Sequence, residues 1–166
     1  LVTTMPYEDI SISLIAQEAG VGRPTFYRQY RDVNAMLIER LRADLDAQYA
    51  VARRMRAERR SVRDTLLATA QMMLESIAAE PALYTPLFNG AAGANSLTIF
   101  REQIDRLLVL MPYPRSVMRG RSAALTAGML AGGISGFILS WIETGMPCSP
   151  REAAEIMTEM VAPTTP

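Results

Sequence analysis

The chain is predicted to be all-helical. Apolar residues recur at helical spacing along most of its 166 residues, and no alternating strand pattern stands out. Residues that start and stop helices bound these runs. A glycine turn leads into a short aromatic and cationic segment, GVGRPTFYRQY at 20–30.

Each helix has its own signals. Ile12, Ile15, Ala16 and Ala19 share one face of a first helix, and Gly20 supplies its left-handed stop. Gly22 caps a second, short helix from Arg23 to about Tyr30. Pro24 is tolerated in its first turn, where the missing N–H has no intrahelical partner anyway. Asp32 caps a third, long helix from Val33 into the fifties, apolar at Met36, Leu37, Leu41 and Leu45. The basic stretch Arg53–Arg63 closes that helix in a turn. Ser61 with Asp64 resembles a capping box and opens a helix reaching about Glu80. Pro81 begins a short helix that ends near Asn89–Gly90, and GAAGAN at 90–95 is a connection. Asn95 or Ser96 starts the next helix, which ends at MPYP, residues 111–114. One long helix is expected from about Arg115 to Thr144, ended by Gly145. Ser149, Pro150 and Glu152 then form a strong start for a last helix reaching about Val161.

Composition narrows the function classes. The 17 basic and 17 acidic residues cancel, so the whole chain generates no steering field. Residues 1–60 carry ten Arg and eight acids, a mild basic bias that the remainder reverses. Every basic residue is Arg. Arg suits bidentate phosphate and guanine contacts, though codon bias produces the same usage. A lone cysteine, Cys148, excludes an intrachain disulfide, and with no visible signal peptide a cytoplasmic home is the expectation. There is no histidine, no nucleophile–base pair and no metal-ligand spacing. The expectation is a non-enzyme without cofactor or metal.

Helix, glycine turn, short helix is the grammar of the helix-turn-helix, whose second helix presents its N-terminal residues in the major groove. RPTFYRQY fits that use. Arg23 can reach guanine O6 and N7, Thr25 and Tyr27 offer hydroxyls for phosphates, and Arg28 and Gln29 follow one turn on. Phe26 and Tyr30, four apart, face inward as anchors. A surface helix with an aromatic staple is the alternative on composition alone.

The wider stretch resembles the DNA-binding domain of TetR-family transcriptional regulators, from Pro6 to about Leu41. The shared pattern is carried by Tyr7, Ser11, Ile15–Ala16, Ala19–Gly20–Val21, Pro24, Thr25, Tyr27, Tyr30 and Asp32. The resemblance implies phosphate contacts from Ser11, Thr25 and Tyr27. It also implies base or groove contacts from Gly22, Arg23, Pro24, Arg28 and Gln29, with Ser13 touching DNA from the preceding helix. It implies a helix-turn-helix domain over 1–50 and a helical ligand-binding and dimerisation domain over 51–166. The partners implied are double-stranded operator DNA, a small-molecule effector and a second copy of the chain, with no membrane. Two departures stand out: Pro6 replaces a usual Gly, and Val33 a usual Lys at the start of the family's fourth helix, the third in this sequence, where Arg31 is the candidate substitute. LVTTMPYED resembles the end of the family's first helix, most of which the given sequence lacks.

The C-terminal two-thirds diverges too far to carry ligand residues over. Nine of eleven methionines lie beyond residue 50, which suits a pliable apolar pocket as well as ordinary core filling. Met73, Phe88, Phe100, Ile104, Met129 and Phe137, on separate helices, are the candidate lining for an apolar or amphiphilic ligand. Ser122 to Ile142 contains no charge and could span a bilayer by length. Ala124, Gly128, Gly132 and Gly136 form a small-residue column in it, as at close helix contacts. The expected protein is a ligand-responsive, homodimeric repressor. The alternative is a helical small-molecule-binding or membrane-associated protein without DNA-binding activity.

Overall fold

The computed structural model of the protein describes residues 7–93, 95–111 and 122–161. Among the described residues there are eight α-helices and no strand, so the fold is all-α. A 3-10 turn, Tyr7–Asp9, leads into α1 (Ile12–Glu18) and α2 (Arg23–Gln29). The long α3 (Val33–Ala57) follows, then α4 (Val62–Ala79) and the short α5 (Pro81–Phe88). The chain ends in α6 (Asn95–Leu110), α7 (Ala123–Glu143) and α8 (Pro150–Val161).

The ends of these helices follow from local chemistry. Ser11 caps α1 by accepting the Leu14 N–H at 3.3 Å. Gly20, at φ +65°, closes α1: its own N–H reaches the Gln17 carbonyl and the Val21 N–H that of Ala16. Asp32 caps α3 through the Ala35 N–H at 2.7 Å, and that bond chiefly lowers its pKa, helped by Arg31. The far end of α3 closes in the same way as α1, but with Arg59 at φ 59° in the left-handed position. A side chain there costs roughly 1–2 kcal/mol. At α8 the capping box is reciprocal: Ser149 Oγ accepts the Glu152 N–H at 3.2 Å and Glu152 Oε2 accepts the Ser149 N–H at 2.8 Å.

One expectation is revised. Ser122 is extended, and its carbonyl accepts the Leu125 and Thr126 N–H groups as a cap residue does. The described helix therefore begins at Ala123 rather than running on from Arg115; residues 112–121, including most of MPYP, lie outside the described residues. The division at residue 50 falls inside α3, which continues unbroken to Ala57. Residues 1–6, with Pro6, also lie outside them.

Packing explains why α3 is so long. It lies against both α4 and α6, while α4 packs along α8 and α6 along α7. Leu37, Leu41 and Leu45 of α3 join Leu74, Ile77, Tyr84, Ile138 and Met157 in one core. Burying each such side chain contributes about 1.5–3 kcal/mol. A polar joint ties α3 to the α4–α5 corner: the Tyr84 hydroxyl donates to Asp44, and Arg40 bridges Asp44 at 3.2 Å and Glu80 at 3.1 Å. Burial, then Asp44, raises the Tyr84 pKa far above its ordinary value.

Candidate nucleic-acid interface and ligand cavity

The first candidate site is the head formed by α1 and α2. Pro24 sits in the first turn of α2 and Gly22 is its cap. Phe26 is buried, and its ring meets that of Tyr30 at 5.4 Å. This fixes the roll of α2. Arg23, Pro24, Thr25, Tyr27, Arg28 and Gln29 are all exposed, as are Gly22 and the cap residue Ser11. Ser13 is half-buried on α1.

Several of these side chains are held by neighbours. Arg28 Nη2 donates to Thr25 Oγ1 at 3.2 Å, which orients both. Gln29 Nε2 donates to the Tyr30 hydroxyl at 3.1 Å, and that hydroxyl donates to Glu39 Oε1 at 3.4 Å. Burial first, then Glu39, raises the Tyr30 pKa. A short relay therefore links α2 to α3, and Tyr7, bonded through its hydroxyl to Asn34, adds a second link to α3. Sequence reasoning missed Glu39 and Asn34, whose only signal is their position early in the third helix. Arg31 pairs with Asp32 at 3.0 Å and is otherwise open to solvent.

The second candidate site is a partly open cavity of about 70 Å³ lined by α3, α4, α6, α7 and α8. Met73, Phe100 and Ile104 line it, together with Leu45, Gln48 and Thr158. Phe88 lies behind the wall, edge-on to Phe100 at 5.5 Å. Phe137 is half-buried against the core and does not reach the cavity lining. Met129 is placed differently from the expected lining. It is 70% exposed, one turn from the equally exposed Leu125, because Ala127 and Ala131 occupy the buried side of α7. The polar lining was missed. Gln48 and Thr158 interrupt the apolar stripes of their helices, a signal visible in the sequence.

A third feature is the outer face of α7. A Cβ built on Gly128, Gly132 or Gly136 meets no atom within 4 Å. The column expected to be a close helix contact is thus uncovered within one chain. By length and composition alone, Ala124–Glu143 could cross a membrane, and only 22% of that window is buried. Ile156 and Met160 of α8 are exposed apolar residues as well. No protein-family model matches the chain, and no curated protein matches it either.

Proposed function

We propose that this chain is a TetR-like transcriptional regulator, acting as a repressor, which binds operator DNA as a homodimer and is released by a small effector. The observation that carries the reading is α2. A buried Phe26 pins one side of a seven-residue helix, and the other side presents two arginines, a glutamine and two hydroxyls to solvent. Arg23 and Arg28 suit guanine edges or phosphates, while Thr25, Tyr27 and Ser11 suit phosphates. Ser13, half-buried, is in reach only as a peripheral contact.

The second copy is assigned to the outer face of α7 with α8. An uncharged face with open glycines lets two helix backbones approach closely, and Leu125, Met129, Ile156 and Met160 supply apolar contact around it. Glycine inside a helix costs about 1 kcal/mol relative to alanine, a cost offset where a partner helix packs into the groove. Lipid gains nothing from that groove, so a protein partner is favoured over a bilayer. Regulation runs through α3. It begins directly after α2, is linked to it through Tyr30 and Glu39, and carries Leu45 and Gln48 of the cavity lining. A guest that fits one position of α3 better than another shifts the spacing of the two heads. Half-sites lie about 34–36 Å apart, one turn of DNA.

The test is a gel shift with the promoter DNA adjoining the protein's own gene. The reading expects a discrete complex containing two chains. A protein that binds this DNA no better than random DNA of equal length would overturn it.

A further inference from the structure

The cavity in the helical bundle has a polar end and an apolar end. Of its polar lining residues, Thr69 already donates its hydroxyl to the Thr65 carbonyl at 3.0 Å. Gln103 donates to the Leu45 carbonyl at 2.7 Å and accepts from Arg106 at 3.2 Å. Thr158 is different. It is 1% exposed, and its hydroxyl oxygen is buried without any hydrogen-bond partner. A threonine in a helix can ordinarily satisfy its hydroxyl on the carbonyl one turn back, so an orphan at this position needs a cause. Gln48, also buried, lines the same chamber with an amide.

A second chamber of about 40 Å³ adjoins the first, and the two share Leu66, Ile104, Leu107, Ile134 and Val161 as walls. Its own lining adds only apolar side chains, among them Leu108, Met111 and Leu130. No charged residue lines either chamber among the described residues.

We infer that the first chamber binds a small uncharged carbonyl compound, whose oxygen accepts from Thr158 and Gln48 and whose short alkyl chain reaches toward the second chamber past the apolar walls the two share. The inference rests on the reading of the bundle as an effector domain and specifies the effector's chemistry. A carboxylate is excluded because it would enter without a cation to pair with. A pure hydrocarbon would leave the Thr158 hydroxyl as it is. Size follows by comparison: an apolar cavity of about 150 Å³ takes benzene, and the two chambers hold about 70 and 40 Å³, so the guest has about four or five heavy atoms.

Three probes of nearly one shape separate these cases: 2-butanone, propionate and n-butane. Binding is read at pH 7.5 from methyl chemical shifts of the full chain without DNA. 2-Butanone should shift Ile104, Ile134 and Met157, and propionate should bind at least about a hundredfold more weakly. Thr158→Val keeps the shape and removes the hydroxyl. It should weaken 2-butanone about three- to tenfold without weakening n-butane. The same variant should melt about 2–4 °C higher without ligand, since an unsatisfied buried hydroxyl is gone. Failure of 2-butanone to bind at about 20 mM overturns the inference. So does equal binding of propionate, or an unchanged 2-butanone affinity in Thr158→Val. Because no DNA is present, these outcomes are independent of the regulator reading, which stands or falls on the operator complex.

Discussion

Gly132→Leu distinguishes a free α7 face from one covered by a second copy. Within one chain a Cβ at Gly132 meets nothing within 4 Å, and the residue is solvent-exposed. Leucine is a better helix former than glycine by about 0.7 kcal/mol. A monomer would therefore gain roughly that amount per chain. In the proposed dimer the side chain would have to enter the groove that the glycines leave open. Overpacking costs about 1–3 kcal/mol at each insertion, and two-fold symmetry inserts two leucines. The expected penalty on association is about 2–6 kcal/mol, or a dissociation constant raised by roughly 30-fold to beyond 10⁴-fold. Analytical ultracentrifugation at low micromolar protein reads this directly. The account expects wild type to sediment as a dimer and Gly132→Leu as a stable monomer with weak operator binding. A mutant that remains dimeric with unimpaired DNA binding removes this column from the subunit interface.

Other outcomes test the local arguments. Phe26→Ala should cost about 3–5 kcal/mol, felt mainly in the head, so hydrogen exchange should accelerate in α1 and α2 before the core of α3 and α4. Arg59→Gly should raise stability by about 1 kcal/mol in chemical denaturation, because it relieves the left-handed side chain without touching a site. Asp32→Ala should lose about 1 kcal/mol with the α3 cap. The carboxyls of Asp32 and Glu152 both have lowered pKa values, Asp32 chiefly through the Ala35 N–H and Glu152 chiefly through the Ser149 hydroxyl. A lowered folded pKa gives stability that is complete above the unfolded value, about 4, and is lost as pH falls through the folded value. Acid titration of Asp32→Asn should therefore show a shallower loss of stability below pH 4 than wild type.

Much of the fold was legible because caps and stops carry explicit chemistry. Gly20, Asp32, Ser61, Pro81, Gly145 and Ser149 each mark a helix end within a residue or two of where it lies. The inward set of α2 was legible for the same kind of reason, since Phe26 and Tyr30 are one turn apart. The start of α7 carried a signal of the same kind, a glycine at Gly120 and a serine cap at Ser122, which the long uncharged run beyond it masked. The cavity was half legible: Met73, Phe100 and Ile104 converge, but Met129 turned outward because the alanines beside it take the buried side. Its polar end depends on which partner each hydroxyl finds. Thr69 and Thr158 are both threonines on apolar stripes, and only three-dimensional contacts separate the satisfied one from the orphan.

The exposed side of α2 is proposed to read operator DNA, and fluorescence anisotropy with a labelled promoter duplex and a random duplex decides the matter. Wild type, Tyr27→Phe and Arg23→Ala are titrated at several salt concentrations. Tyr27 is proposed to contact a phosphate, so Tyr27→Phe should weaken both duplexes alike, since a phosphate carries no sequence. Arg23→Ala should cost about 1–3 kcal/mol on the promoter site and far less on random DNA. Equal losses on both duplexes would take Arg23 out of base reading. Wild-type affinities that are the same for promoter and random DNA at every salt concentration would contradict the account as a whole.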